Sequence, residues 1–183
     1  MTSLHLALSA GGILALGYLQ GCTTLTKLSI FSLDSSVDLK ATQNDVYLEI
    51  VEWLKACSSL QEVAFNGMIS APDLMTPILL NDAVVLQEVG INAKYDSLYA
   101  VKDNHDFHRA LAQQTSLQRL YLSADADLTT RDDIEILMNS FCSLHSLKVL
   151  HLTRISEYFT DEHILLLAQH MPRLEELSVG GYG

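Results

Sequence analysis

The chain has 183 residues, 49% hydrophobic and 18% charged, which is enough apolar material for a substantial folded core and too much for a disordered segment. Its 22 Asp and Glu against 11 Lys and Arg give a formal net charge of −11, a field that repels nucleic-acid backbones and anionic lipid surfaces, so neither is expected as a partner. No apolar run reaches the about 18 residues needed to cross a bilayer. Cys22, Cys57 and Cys142 lack C-x-x-C spacing, which argues against a disulfide framework and a zinc site and for a reducing intracellular compartment, cytoplasmic or nuclear.

The opening stretch 4–19 is apolar, but no Lys or Arg precedes Lys27, and Ser9, Gly11 and Gly12 interrupt it. It reads as the start of a repeat and not as an export signal. From there an L-x-x-L-x-L pattern returns along the chain: Met1, Leu4, Leu6; Leu25, Leu28, Ile30; Leu60, Val63, Phe65; Leu86, Val89, Ile91; Leu117, Leu120, Leu122; Leu147, Leu150, Leu152; Leu174, Leu177, Val179. One such match means little, whereas six good copies in order mark internal repetition, and the longer intervals hold loop insertions.

Between the copies the apolar period changes from that of a strand to that of a helix. Asn44 or Asp45 can start a helix carrying Val46, Ile50, Trp53 and Leu54. Thr76 and Pro77 can cap and begin a short one running to Asp82, and 92–103 holds an inserted loop. Thr130 can cap a helix with Asp133 three residues on and Ile134, Leu137, Met138 and Phe141 on its apolar face. Thr160 repeats the design, with Asp161 and Glu162 in the first turn, Ile164, Leu167, Ala168 and Met171 as the expected buried stripe, and Pro172 as the stop.

Strand copies alternating with returning helices resemble leucine-rich repeats. The resemblance implies an α/β solenoid, a right-handed β-α superhelix with a parallel concave sheet and convex helices, made of about seven irregular repeats in one domain over 1–183. The stretch from Thr160 to Val179, with its Met171-Pro-Arg-Leu174 junction, is similar to the cysteine-containing repeats of F-box proteins. Cys22-Thr-Thr-Leu25 and Cys57-Ser-Ser-Leu60 look like the same junction with Cys in the Met171 place. In that family the repeats hold a substrate, while a separate upstream F-box docks to the Skp-type adaptor of a cullin ubiquitin ligase. No stretch of this sequence reads as an F-box, so the chain is expected to be a fragment of a longer protein. Similar repeats occur in ribonuclease-inhibitor-like proteins and immune receptors, which keeps a structural or regulatory scaffold, or the sensor region of a larger receptor, as the alternative.

Strand alternation sends the Leu positions inward and the residues between them to the open side. The middle outward row is His5, Ser29, Ala64, Gly90, Tyr121, His151, Ser178. Its neighbours include Lys27, Glu62, Glu88, Arg119 and Glu176 on one side and Phe31, Asn66, Asn92, Ser123 and Thr153 on the other. Arg119, Tyr121, His151 and Phe31 are the expected strongest contacts of a protein partner, and the three Glu would bias the site toward a basic one.

No enzymatic pattern competes with this reading, and no metal or cofactor is expected. His105, Asp106 and His108 read as a solvated charge cluster, and His163 and His170 as a polar helix face. Cys22 and Cys57 share a repeat position and so read as structural. Gly11-Gly12 and Gly180-Gly181 lack a phosphate-loop pattern and read as turns.

Overall fold

The computed structural model describes residues 1–34, 37–92, 99–124 and 129–180. Seven strands, β1 Ser3–Leu8, β2 Lys27–Ser32, β3 Glu62–Asn66, β4 Glu88–Asn92, β5 Arg119–Ser123, β6 Val149–Thr153 and β7 Glu176–Gly180, form one parallel sheet in chain order. Helices fill the returns: α1 Ala10–Leu14, followed by a 3-10 turn Ala15–Leu19, α2 Leu39–Thr42, α3 Asn44–Ala56, α4 Ala71–Leu79, α5 His105–Leu111, α6 Arg131–Phe141 and α7 Asp161–His170. From α3 onward each helix packs on the next.

The register is set by the apolar rows, because a slip of one residue would turn every inward Leu to solvent. Leu28 pairs with Val63, Val63 with Val89, Val89 with Leu120, Leu120 with Leu150, and Leu150 with Leu177. As far as Leu150 these rows fuse with the helix stripes into one buried cluster that includes Ile50, Trp53, Leu74, Phe107, Ile134, Phe141 and Leu167, whereas Leu177 and Val179 of β7, expected to point inward, are exposed. A second device locks the stack just before each strand. The carbonyl of Thr2, Thr26, Gln61, Gln87, Gln118 and Lys148 each accepts two successive N–H groups of the next repeat, at 2.7–3.1 Å.

The helix ends follow side-chain chemistry. Thr130 and Asp133 make a reciprocal capping box on α6: the Thr130 N–H donates to Asp133 Oδ2 at 2.8 Å and the Asp133 N–H to Thr130 Oγ1 at 3.3 Å. On α7 the third helical position is His163, whose Nδ1 accepts the Thr160 N–H at 3.0 Å. Gly67 leaves β3 with a left-handed φ of 70°, where a Cβ would stand 3.1 Å from the Ser32 carbonyl, so glycine meets both a conformational and a steric demand.

Three expectations are corrected. The fourth helix does not begin at Thr76 but spans Ala71–Leu79, with Pro72 in its first turn and Pro77 inside it. Pro77 has no N–H for the Asp73 carbonyl, and the Tyr47 hydroxyl from α3 donates to that carbonyl instead, at 3.5 Å. On α7 the buried positions are His163, Leu167 and the capping Met171, while Ile164 and Ala168 are exposed. The packing of α7 on α6 leaves these two positions uncovered. Gly11 and Gly12 lie in a short helix capped by Ser9 and not in a turn; Gly180 ends β7, and Gly181, the other half of the turn expected there, lies outside the described residues. Most of the inserted loop expected at 92–103 falls at 93–98, outside the described residues.

Candidate interaction surface

Register carries the outward side chains of the sheet into three rows. In the first, Lys27, Glu62, Glu88, Arg119, Val149 and Glu176 follow one another across β2 to β7. In the second, His5, Ser29, Ala64, Gly90, Tyr121, His151 and Ser178 do so across all seven strands. In the third, Phe31, Asn66 and Asn92 continue one another, and Ser123 stands beside Thr153. The Asn92 backbone belongs to this row, while its side chain lies outside what is described.

The first row is a chain of ion pairs. Lys27 Nζ lies 2.9 Å from Glu62 Oε1, and Arg119 Nη2 lies 3.5 Å from the same oxygen. Arg119 Nε donates to Glu88 Oε2 at 2.5 Å, which holds the guanidinium pKa above its usual value. Glu62 and Glu88 are therefore largely neutralised by their own neighbours, and the basic-partner bias read from the sequence is weaker on this face than the composition suggests. Val149, which the sequence reading passed over, interrupts the ladder between Arg119 and Glu176.

The middle row is small at one end and aromatic at the other. Ser29, Ala64 and the buried Gly90 keep this end of the row low, and a cavity of about 120 Å³ opens over Ser29 and Ala64 among His5, Lys27, Glu62 and Glu88. Tyr121 meets His151 edge to face, with centroids 5.1 Å apart and planes at 86°, and His151 Nε2 lies 2.7 Å from Glu176 Oε1. Burial, followed by the Glu88 charge, raises the Tyr121 pKa, so the ring presents an intact hydroxyl. With strands about 4.8 Å apart, the floor bounded by His5 and Tyr121 is roughly 19 Å wide.

The helix side holds what sequence reading missed. His105, Asp106 and His108 are not one solvated cluster. His108 is fully buried and hydrogen-bonds through Nε2 to the Tyr99 hydroxyl. His105 bridges α5 to α6 through Asp133 Oδ1 at 2.7 Å, and only Asp106 is fully solvated, pairing with Arg109 at 2.9 Å. Burial opposes the Asp133 charge, but the hydrogen bonds from Thr130 and His105 outweigh it and keep the carboxyl below its usual range. A cleft of about 480 Å³ lies beside them, lined by Lys40, Tyr47, Asp73, Lys102 and Arg109, with Lys40 and Asp73 paired at 2.6 Å. His163 is likewise buried and stacked on Phe159, so only His170 of that pair is a polar-face residue.

Cys57 is buried, and burial, with the nearby Cys22, pushes its thiol up to about 11, the behaviour of a core residue and not of a nucleophile. Cys22 contributes its carbonyl, which accepts from Trp53 Nε1 at 3.3 Å and from Cys57 Sγ at 3.6 Å. Among the described residues no three His, Cys, Asp or Glu are grouped so as to hold a metal ion, and no helix is long and apolar enough to cross a membrane.

Neither a family model nor a curated protein matches the chain. Among solved structures it is similar to a leucine-rich-repeat protein of Leptospira interrogans, at 18% identity and a TM-score of 0.33, over 69% of this chain and 38% of that one. The chain thus spans well under two thirds of that protein's length. The architecture itself, seven parallel strands in one open sheet alternating with helices under a recurring L-x-x-L-x-L row, is that of an α/β leucine-rich-repeat solenoid.

Proposed function

We propose that this chain is a protein-interaction module that holds a partner protein across the open sheet face. The observation that carries the reading is the middle row, in which small residues, the part-exposed Ser29 and Ala64 and the buried Gly90, run up to the Tyr121-His151 aromatic pair. Small residues give a partner access to the floor, and aromatic side chains held in place by neighbours lose little entropy on binding. The contacts are Lys27, Phe31, Glu62, Asn66, Glu88, Asn92, Arg119, Tyr121, Ser123, His151, Thr153 and Glu176. The Cys22, Cys57 and Met171 junctions support a finer reading, in which these are the substrate-recognition repeats of an F-box-type ubiquitin ligase receptor. A Skp-type adaptor would then be engaged by a separate F-box, and three free thiols fit an intracellular setting.

The test is affinity capture from cell lysate with the parent chain as bait, against Arg119→Ala/Tyr121→Ala/His151→Ala. A second variant, Tyr121→Ala/His151→Ala, leaves the Lys27-Glu62-Glu88-Arg119 ladder intact. Both variants are expected to lose a partner that the parent retains, by about tenfold or more, with unchanged circular dichroism. Capture of the same partner by all three proteins would remove the open face as the binding surface. Ubiquitin-ligase components among the captured proteins would support the finer reading, and their absence would leave a scaffold or receptor sensor as the better description.

A further inference from the structure

On the helix side, away from the open face, an apolar groove of about 410 Å³ runs between the 3-10 turn Ala15–Leu19 and the outer face of α3, lined by Gln20, Leu48, Glu49, Glu52, Trp53 and Ala56. Gly17 makes this geometry available. A Cβ there would stand 2.4 Å from Glu49 Oε2, so glycine lets the Glu49 carboxylate lie over the turn, where a larger residue would make it swing aside. Trp53 is fixed in the floor by its bond to the Cys22 carbonyl. Two large side chains of these packed elements are left in solvent: Tyr18, in the 3-10 turn that packs on α3, is 91% exposed, and Leu48, which lines the groove, is 50% exposed. A tyrosine this open, beside an apolar groove, is the kind of residue that anchors interfaces.

The rim is mainly acidic. Asp45, Leu48, Glu49, Glu52 and Ala56 follow at helical spacing along the exposed stripe of α3. Glu52 is paired with Lys55 at 2.7 Å, whereas Glu49 has no ion-pair partner among the described residues. The facing segment 1–33 contains no Asp or Glu, so these α3 carboxylates set the local field. A second copy of this chain is a poor occupant, because α3, α6 and α7 all carry acid in their first turns and would meet the rim with like charge.

We infer that this groove is a second docking surface, distinct from the open face, which takes a basic amphipathic helix of a partner protein. Its apolar side chains pack between Tyr18, Leu48 and the Trp53 floor, and its Lys or Arg side chains meet Glu49 and Glu52. Apolar burial supplies affinity, while the acidic rim selects against acidic helices.

Trp53 is the single tryptophan of the chain, so its emission reports on the groove directly. The probe is a tryptophan-free Leu/Lys amphipathic peptide of about 18 residues, roughly five helical turns, with a Leu/Glu counterpart. The Leu/Lys peptide is expected to shift Trp53 emission saturably, and the Leu/Glu peptide to leave it unchanged. Tyr18→Ala and Glu49→Gln/Glu52→Gln are each expected to weaken binding by about tenfold or more. Glu157→Gln/Glu162→Gln, an equal charge change elsewhere, and Tyr121→Ala/His151→Ala, on the open face, should leave the affinity within about twofold. The inference is overturned if the Leu/Glu peptide binds as well, if both charge variants weaken binding equally, or if the open-face variant abolishes it. It is also overturned if sedimentation shows a dimer of the free chain that Tyr18→Ala dissociates, since a second copy would then fill the groove.

Discussion

Gln114→Ala is expected to lower the stability of the chain by about 2–4 kcal/mol, because two buried backbone groups lose their partners at once. In the other late junctions the strand leucine closes a turn onto the residue three before it: Leu60 onto Cys57, Leu117 onto Gln114, Leu147 onto Leu144 and Leu174 onto Met171. In the fourth repeat the turn closes early, from Val84 to Asn81, and the Leu86 N–H has no turn carbonyl. Gln114, 7% exposed in the next repeat, supplies the acceptor through Oε1 at 3.1 Å, and its Nε2 donates to the Leu79 carbonyl at the end of α4 at 2.8 Å. Gln114→Leu restores most of the volume but neither bond, and so should recover less than half of the loss. Urea unfolding, with the midpoint lowered for both variants, is the check. A Gln114→Leu protein as stable as the parent would show that volume, and not the two hydrogen bonds, is what the position supplies.

Acidification is expected to remove stability well before the carboxylates titrate, through His108. Burial first, and the neighbouring His105 second, bring its pKa down to about 3, so the folded chain holds the imidazole neutral. An unfolded histidine takes up a proton near pH 6.5. Between these values the unfolded state carries one more proton than the folded state, and stability falls as pH falls, by up to about 1.4 kcal/mol per pH unit. By pH 4.5 the loss from this one residue is about 2–3 kcal/mol. Asp133, held below the usual carboxylate range, contributes stability that is lost only at lower pH, as it takes up its proton, so the earlier fall belongs to His108. Tyr99→Phe/His108→Leu removes the titrating ring and its partner together. It should keep stability within about 1 kcal/mol of the parent near neutrality while flattening the dependence between pH 6.5 and 4.5. An unchanged slope in that variant would assign the acid sensitivity to other groups.

Much of the fold was legible because the stack repeats one solution. The inward rows needed only the L-x-x-L-x-L spacing, and their phase alone sets Tyr121 beside His151 and Glu62 beside Glu88. The α6 cap was equally open to view, since Thr130 and Asp133 are three residues apart and the interaction is local. Contacts between repeats left no such trace. His108 looks polar in sequence and is paired with Tyr99, whereas the carbonyl that Pro77 leaves unmet inside α4 is reached by a Tyr47 hydroxyl from another helix. Gln114 stands where its counterparts are Cys57, Leu144 and Met171, and that substitution of an amide for apolar side chains was the one available signal of its role. Pairing within the charge ladder was likewise invisible, because composition counts Glu62 and Glu88 as free acid while Lys27 and Arg119 converge on them.

The central claim, that the open sheet face is the working surface, is tested most directly by photo-crosslinking from single positions in the presence of a captured partner. A benzophenone side chain is placed in turn at Ser29, Ser123 and Thr153 on the open face, and at Glu135 and Glu162 on the helix side. The account predicts adducts with the partner from the three open-face positions and none from the two helix-side ones. Adducts from Glu135 or Glu162, with the open face silent, would contradict it.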